Sequence, residues 1–397
     1  MESQLIPGVN PAHCIDGIPP SEILIPYPSI RSLLNSQARW QGDKTFLITF
    51  DEEGKKINTT FIQFYKDVSR TANFLRENNA QFGDRVLVNL GNDVDSLIQC
   101  FSVWMVGAGA VVLPENIPDE KAENFLKSVN CKTVFPTDTP FSELLKNHSD
   151  QFEIGKKSKL EDDVLIFVKQ TDSGLKGVLL SHYNVLVTAM ATADRLKLDG
   201  ETTLFCGLPL LEVSGILGVV NSALYGGSPV FLSNTKNLTD AHILFTNFSE
   251  LAKFAAEQGP NQLKHLNKIV CPNSTNTEIN SDLIATELKS KMFMGLCLSE
   301  TSGFSTLGQF KYDQSQQAIT IGSSLRSNEL DIHDGAGNSL PENEVGEIVI
   351  RGHSVMQGFV NDESAEKEMH QDGWFKTGLV GYSVREGDIL SYYLITK

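Results

Sequence analysis

Cysteine is scarce in this sequence and never paired: six residues, at positions 14, 100, 131, 206, 271 and 297, with no C-x-x-C among them. That spacing excludes a zinc ribbon or a thioredoxin-like redox centre and leaves most of the thiols as small buried hydrophobes. Positive charge is also in deficit, with 33 Lys and Arg against 49 Asp and Glu and a formal charge of −16. The basic cluster Lys156-Lys157-Ser158-Lys159 runs at once into Glu161-Asp162-Asp163. No nucleic-acid partner is therefore expected, and an anionic membrane surface is disfavoured for the same reason. Met1 to Pro20 has neither a basic nor an apolar region of the kind a secretory leader needs, so a cytoplasmic protein with reduced thiols is expected. The sequons at Asn58, Asn147, Asn237, Asn247 and Asn273 are then chance matches. The longest apolar stretch, Leu204 to Leu232, carries one charge, Glu212, but Pro209, Pro229 and several glycines interrupt it, so no membrane span is expected.

What remains is an ordinary globular composition, 41% apolar and 21% charged over 397 residues. That length suggests about two to four structural units. Apolar residues at Phe61, Phe64, Val68, Ala72 and Leu75 predict a helix over Thr60 to Leu75. A strand over Arg85 to Leu90, a helix over Asp93 to Val106 and a strand over Ala110 to Leu113 follow, the rhythm of a parallel sheet. The same alternation returns with strands at Val164 to Val168, Thr203 to Leu208 and Val230 to Leu232, and helices at Asn184 to Lys197 and Ile216 to Leu224. After about Gly322 the pattern changes to short alternating strands, Glu329 to His333 and Gly346 to Arg351, set between turns such as Asp334-Gly335 and Gly337-Asn338. The expected fold class is α/β, with two sheet-and-helix subdomains over residues 1–185 and 186–322 and a small β-barrel-like subdomain over 323–397.

Three segments carry residues suited to chemistry. Val168 to Gly177 (V-K-Q-T-D-S-G-L-K-G) follows a buried strand, and loops rich in Gly, Ser and Thr can aim backbone N–H groups at phosphate oxygens while a lysine balances charge. A polar turn between two strands would carry the same residues. Leu298 to Gly303 sets Glu300 among small hydroxyls, where a carboxylate can hold a hard divalent ion or simply occupy an acidic loop. Gln357-Gly358-Phe359 and Asp372 to Gly378 form a turn-rich, aromatic stretch that a solvent-facing hairpin would also explain.

In order, these segments resemble the large N-terminal domain of the acyl-adenylate-forming superfamily, which includes acyl-CoA synthetases and aryl-CoA ligases. Gly346-Glu347-Ile348-Val349-Ile350-Arg351-Gly352, then Gly358-Phe359, then Asp372-Gly373-Trp374-Phe375-Lys376-Thr377-Gly378 are similar to the family's G-E-[IL]-x-[IVL]-R-G, G-[YF] and D-G-W-[FL]-x-T-G-D. Gly83-Asp84-Arg85-Val86 and Gly107 to Pro114 resemble two earlier blocks. Lys176-Gly177-Val178 with Ser181-His182 and Asn184 resembles the end of the phosphate loop. The resemblance runs from about Ser29 to Lys397. It implies ATP-dependent activation of a small carboxylate, with AMP and Mg at the nucleotide site and transfer to a thiol of CoA or a carrier protein. By resemblance, Thr171, Gly174, Lys176 and Gly177 fall on the phosphate loop, Glu300 on the metal-associated glutamate with Ser299 beside it, and Glu212 and Leu296 on the acyl pocket.

Departures from the pattern fall on the same segments. The family loop T-S-G-T-T-G-x-P-K-G has glycines where this chain has Gln170 and Ser173, threonine at Asp172 and proline at Leu175. Thr377-Gly378-Leu379 lacks the aspartate that binds the ribose hydroxyls, Leu296 replaces an aromatic, and Glu212 replaces a histidine. The sequence ends at Ile395-Thr396-Lys397, about where the hinge to the family's C-terminal domain begins, so the lysine of that domain is expected to be absent. The implied function is a degenerate ligase-like domain with weak or lost adenylation that binds an acyl or aryl ligand or a partner. The alternative is an active, divergent acyl-CoA or acyl-carrier-protein ligase whose C-terminal domain is expected to be missing from this chain.

Overall fold

The computed structural model describes residues 25–133, 135, 141–172, 174–232, 238, 240–258, 263–273, 286–362 and 370–396. Met1 to Pro20, Cys14, Ser173 and Asn237, each singled out above, lie outside these residues. The predicted helix at Thr60 is present as Phe61–Glu77, with the Thr60 hydroxyl accepting from the Gln63 amide at its N-cap. Phe61, Phe64, Val68, Ala72 and Leu75 are all fully buried, so one apolar stripe at 3.6-residue spacing supplies the packing that short isolated helices lack. Val94–Val106 begins on an Asp93 cap that accepts from the Ser96 amide at 2.7 Å. It packs Phe101 and Trp104 edge to face, ring centroids 4.7 Å apart. The buried Trp104 indole satisfies its N–H on the Val164 carbonyl at 2.7 Å, tying this helix to the strand that leads into the Lys169 region. Where a plain helix is expected over Ile216 to Leu224, the chain forms a wider π-helical stretch, Ser214–Asn221, before α-helix Ser222–Gly226. Among the described residues no helix is long and apolar enough to cross a membrane.

Two sheets organise these helices. In the larger, Met292–Leu298, Lys268–Asn273, Ile243–Phe245, Leu204–Cys206, Val230–Leu232 and Thr45–Phe50 form a parallel block, and Lys56–Thr60 pairs antiparallel at its edge. Their residues are mostly apolar and buried, as strands covered on both faces require. On the other side of Met292–Leu298 the sheet continues antiparallel through Thr306–Gln309, Ala318–Ser324, Ile389–Ile395, Trp374–Glu386, Gly346–Gly352 and Asn328–His333. The short alternating strands expected after Gly322 therefore extend the large sheet. The smaller sheet runs Gly358–Phe359, Gly174–Ser181, Asp163–Thr171, Gly109–Val112, Arg85–Leu87 and Cys131–Lys132. Chain order and sheet membership cross over: Thr45–Phe50 comes from the first stretch yet joins the large sheet, and Gly358–Phe359 returns from the last stretch to the small one.

Helix His182–Leu196 packs against Gly174–Ser181 of the smaller sheet and Gly303–Phe304, which pairs with Met292–Leu298, and is buried along most of its length. Ser181 and Asn184 form a reciprocal capping box at its start. Asn184 Nδ2 also donates to the carbonyls of His353 and Val355 at 2.9 and 2.8 Å, which brings the 353–360 segment against the smaller sheet.

Candidate functional site

The candidate phosphate loop is a β-hairpin. Asp163–Thr171 and Gly174–Ser181 pair antiparallel with Val168 opposite Gly177, Lys169 opposite Lys176, Gln170 opposite Leu175 and Thr171 opposite Gly174. Only Asp172 and Ser173 separate Thr171 from Gly174 in the chain. The Thr171 hydroxyl donates to the Gly174 carbonyl at 2.9 Å, closing the end of the ladder. Strand pairing holds N–H groups in the plane of the sheet, pointing at the partner strand or away from it. An anion cradle needs successive N–H groups converging on one point. Gly177 is small for a packing reason: a Cβ there would stand 2.8 Å from the Phe125 ring and 3.0 Å from Ile166.

Directly opposed residues project to one face, so Lys169 and Lys176 stand side by side, a repulsive arrangement unless each finds an anion. Each does. Lys169 Nζ lies 2.5 Å from Glu300 Oε1. Lys176 Nζ lies 3.7 Å from Asp362 and 5.5 Å from the centroid of Phe359. Asp362 and Phe359 reach Lys176 because Gly358–Phe359 pairs with Leu179 and Val178, flanked by hydrogen bonds that the Gln357 amide donates to the Leu179 carbonyl and the Val360 amide to the Gly177 carbonyl.

Glu300 sits in a single 3₁₀ turn, Ser299–Thr301, at the end of Met292–Leu298, and is 5% exposed. Its carboxylate has a partner on each oxygen, the Lys169 ammonium on Oε1 and the Ser299 hydroxyl on Oε2 at 2.8 Å. Its carbonyl accepts from the Met356 amide at 2.8 Å. Ser302 follows in the left-handed region, φ 57°, and donates through its hydroxyl to the Ser354 carbonyl. The hairpin, the Glu300 turn and the 353–362 segment thus converge, and they bring together Thr171, Gly174, Lys176, Gly177, Ser299 and Glu300.

Leu296 and Glu212 have different settings. Leu296 is fully buried in Met292–Leu298, its amide donating to the Thr306 hydroxyl at 2.9 Å. Glu212 is exposed, accepts from the Ser214 hydroxyl at 3.2 Å, and stands close enough to Cys297 to reinforce the upward push that burial gives that thiol. Burial likewise pushes Cys206 and Cys271 up to about 12, so these thiols carry no thiolate near neutral pH. His182, fully buried beneath the helix start, accepts the Ile30 amide on Nδ1 at 3.3 Å, and burial with nearby Arg31 pushes its pKa down to about 3.

Thr377-Gly378-Leu379 forms a bulge. The register passes from Val349 opposite Lys376 to Glu347 opposite Val380, leaving three residues against Ile348. The Thr377 hydroxyl donates to the Ile348 carbonyl at 2.6 Å, and the Gly378 amide, at φ 71°, donates to Glu347 Oε1 at 2.9 Å. Leu379 is half-buried, its side chain packed against the apolar core.

Sequence reasoning passed over Lys169 and Asp362. The signal for Lys169 was present as a lysine seven positions before Lys176, the spacing that faces two residues across a two-residue turn. Asp362 had no local signal.

Solved structures share the fold. The ATP-bound MatB of Rhodopseudomonas palustris superposes with a TM-score of 0.77 at 17% identity, covering 93% of this chain and 79% of that one. In sequence, the 2-succinylbenzoate–CoA ligase of Bacillus licheniformis is 24% identical over 382 residues, 89% of this chain and 77% of that protein. The corresponding ligase of Enterococcus faecalis is 25% identical over 396 residues, 92% and 78% of the two chains. The model of the family described as AMP-binding enzyme matches residues 34–175 and 170–360, and the chain belongs to that family.

Proposed function

We propose that this chain is an acyl-adenylate-forming ligase-like domain in which ATP-dependent adenylation is weakened or lost, and which holds an acyl or aryl ligand, or a partner such as a carrier protein. The observation that carries this reading is the ladder that runs to Thr171 opposite Gly174. A triphosphate would have to unzip it to collect convergent N–H groups, and the exposed Asp172 at its tip would meet that anion charge on charge. Leu379 adds to the case, since its side chain offers no acceptor to ribose hydroxyls. The residues present therefore fit ATP poorly at both ends. Glu212 bears on the ligand: it falls on the acyl pocket by resemblance, and its exposed carboxylate there would repel an anionic acyl group and favour a neutral or cationic one.

Calorimetric titration of the chain with Mg-ATP and with AMP tests the reading. No saturable heat is expected up to millimolar nucleotide. Leu379→Asp supplies a charged acceptor worth about 1.5–3 kcal/mol, or roughly 10- to 150-fold in affinity, and is expected to bring weak AMP binding into range. Saturable binding by the unaltered chain that disappears in Lys176→Ala would sink the proposal and favour the active acyl-CoA or acyl-carrier-protein ligase.

A further inference from the structure

We infer that Lys169 is a built-in cation that takes the place of a divalent metal ion at Glu300. Three observations meet here. By resemblance the position falls on a serine of the phosphate loop, and this chain carries lysine there. Its ammonium lies 2.5 Å from Glu300 Oε1, a charge-assisted contact between elements 131 residues apart. The carboxylate is nearly inaccessible, 6% exposed at the side chain, while the lysine stem comes in from the more open side at 40%. With the Ser299 hydroxyl on Oε2, each carboxylate oxygen already has a donor. Mg²⁺ binds carboxylate oxygen at about 2.0–2.1 Å and gives up its water reluctantly, so to bind here it would have to displace the ammonium or stand next to it. The donor set does not fit a metal.

A buried carboxylate needs a compensating charge whether or not chemistry occurs nearby. A divalent ion provides it only when bound; a lysine on a paired strand provides it permanently. Its place in the ladder, opposite Lys176 and two residues from the turn, holds the stem in one direction, toward the Glu300 turn. The fixed ammonium thus keeps the Glu300 turn and its amide contact to Met356 assembled without metal. This inference stands apart from the fate of nucleotide, and its test uses metal alone.

Mn²⁺ binding, read by electron paramagnetic resonance without nucleotide, is measured on the unaltered chain and on E300Q, K169S, K169M, K169S/E300Q and K169M/E300Q. The unaltered chain and E300Q are expected to bind Mn²⁺ equally weakly. K169S is expected to gain a site at least tenfold tighter than K169S/E300Q, accompanied by a Mn²⁺-dependent rise in melting temperature. K169M keeps the stem without the charge and guards against a packing failure in K169S; it is expected to gain the same Glu300-dependent site. Glu300-dependent Mn²⁺ binding by the unaltered chain would overturn the inference, as would folded K169S and K169M proteins that bind Mn²⁺ no better than their E300Q counterparts.

Discussion

Replacing Asn184 with alanine is expected to cost about 3 kcal/mol of stability in chemical denaturation, the sum of a lost cap contact at about 1 kcal/mol and two buried carbonyls deprived of a donor at about 1 kcal/mol each. The side chain has no exposed surface and works in two directions. Its Oδ1 accepts from the Ser181 amide and hydroxyl, both at 2.9 Å, and from Gln357 Nε2 at 3.1 Å. Its Nδ2 donates to His353 and Val355. Alanine removes every one of these contacts and leaves a buried site that water reaches poorly. The loss should be felt at a distance: amide protection of the 353–360 segment should fall more than that of helix His182–Leu196, whose Ser181 hydroxyl still accepts from the residue-184 amide. A loss below about 1 kcal/mol would mean that the 353–360 segment is held elsewhere.

Acidification should destabilise the protein through His182 well before most carboxylates protonate. The folded-state pKa of this imidazole is about 3, far below its ordinary value of 6.5, with burial the leading cause and Arg31 the second. Between those two values the unfolded chain binds a proton that the folded chain refuses. The stabilisation is complete above about pH 6.5 and is lost as pH falls toward 3, at about 1.4 kcal/mol for each pH unit through the window. Stability followed by urea denaturation from pH 7 to pH 4.5 should show that slope in excess of the slope in His182→Gln, which keeps an acceptor for the Ile30 amide but cannot titrate. Parallel slopes in the two proteins would remove His182 from the account.

The helices and buried strands were legible because their apolar periods are strong and local. Phe61–Glu77 and Val94–Val106 differ from expectation by one or two residues, and His182–Leu196 begins two residues before the expected Asn184, on its Ser181 cap. The hairpin was harder. A strand was expected only over Val164 to Val168, since Lys169, Gln170 and Thr171 are polar and fall by resemblance on a phosphate loop, yet pairing continues to Thr171. Its continuation depends on the partner strand's register and on two anions, Glu300 and Asp362, that lie far along the chain. No window of local sequence contains such pairings. The same limit hid Thr45–Phe50 and Gly358–Phe359, each of which joins a sheet built mostly from distant residues. The site residues named by resemblance could be listed from the sequence, but their partners could not: nothing local says that Lys176 faces Asp362 or that Leu296 is sealed in the core.

Hydrogen exchange of the 168–177 segment, with and without Mg-ATP, tests the closed hairpin most directly. Amides paired across an antiparallel ladder exchange only when it opens. The account predicts that peptides covering this segment keep a protected fraction for minutes or longer, and that millimolar Mg-ATP leaves it unchanged. Complete exchange within seconds in the free protein, with protection appearing when Mg-ATP is added, would describe an open loop that closes on phosphate, and would contradict the account.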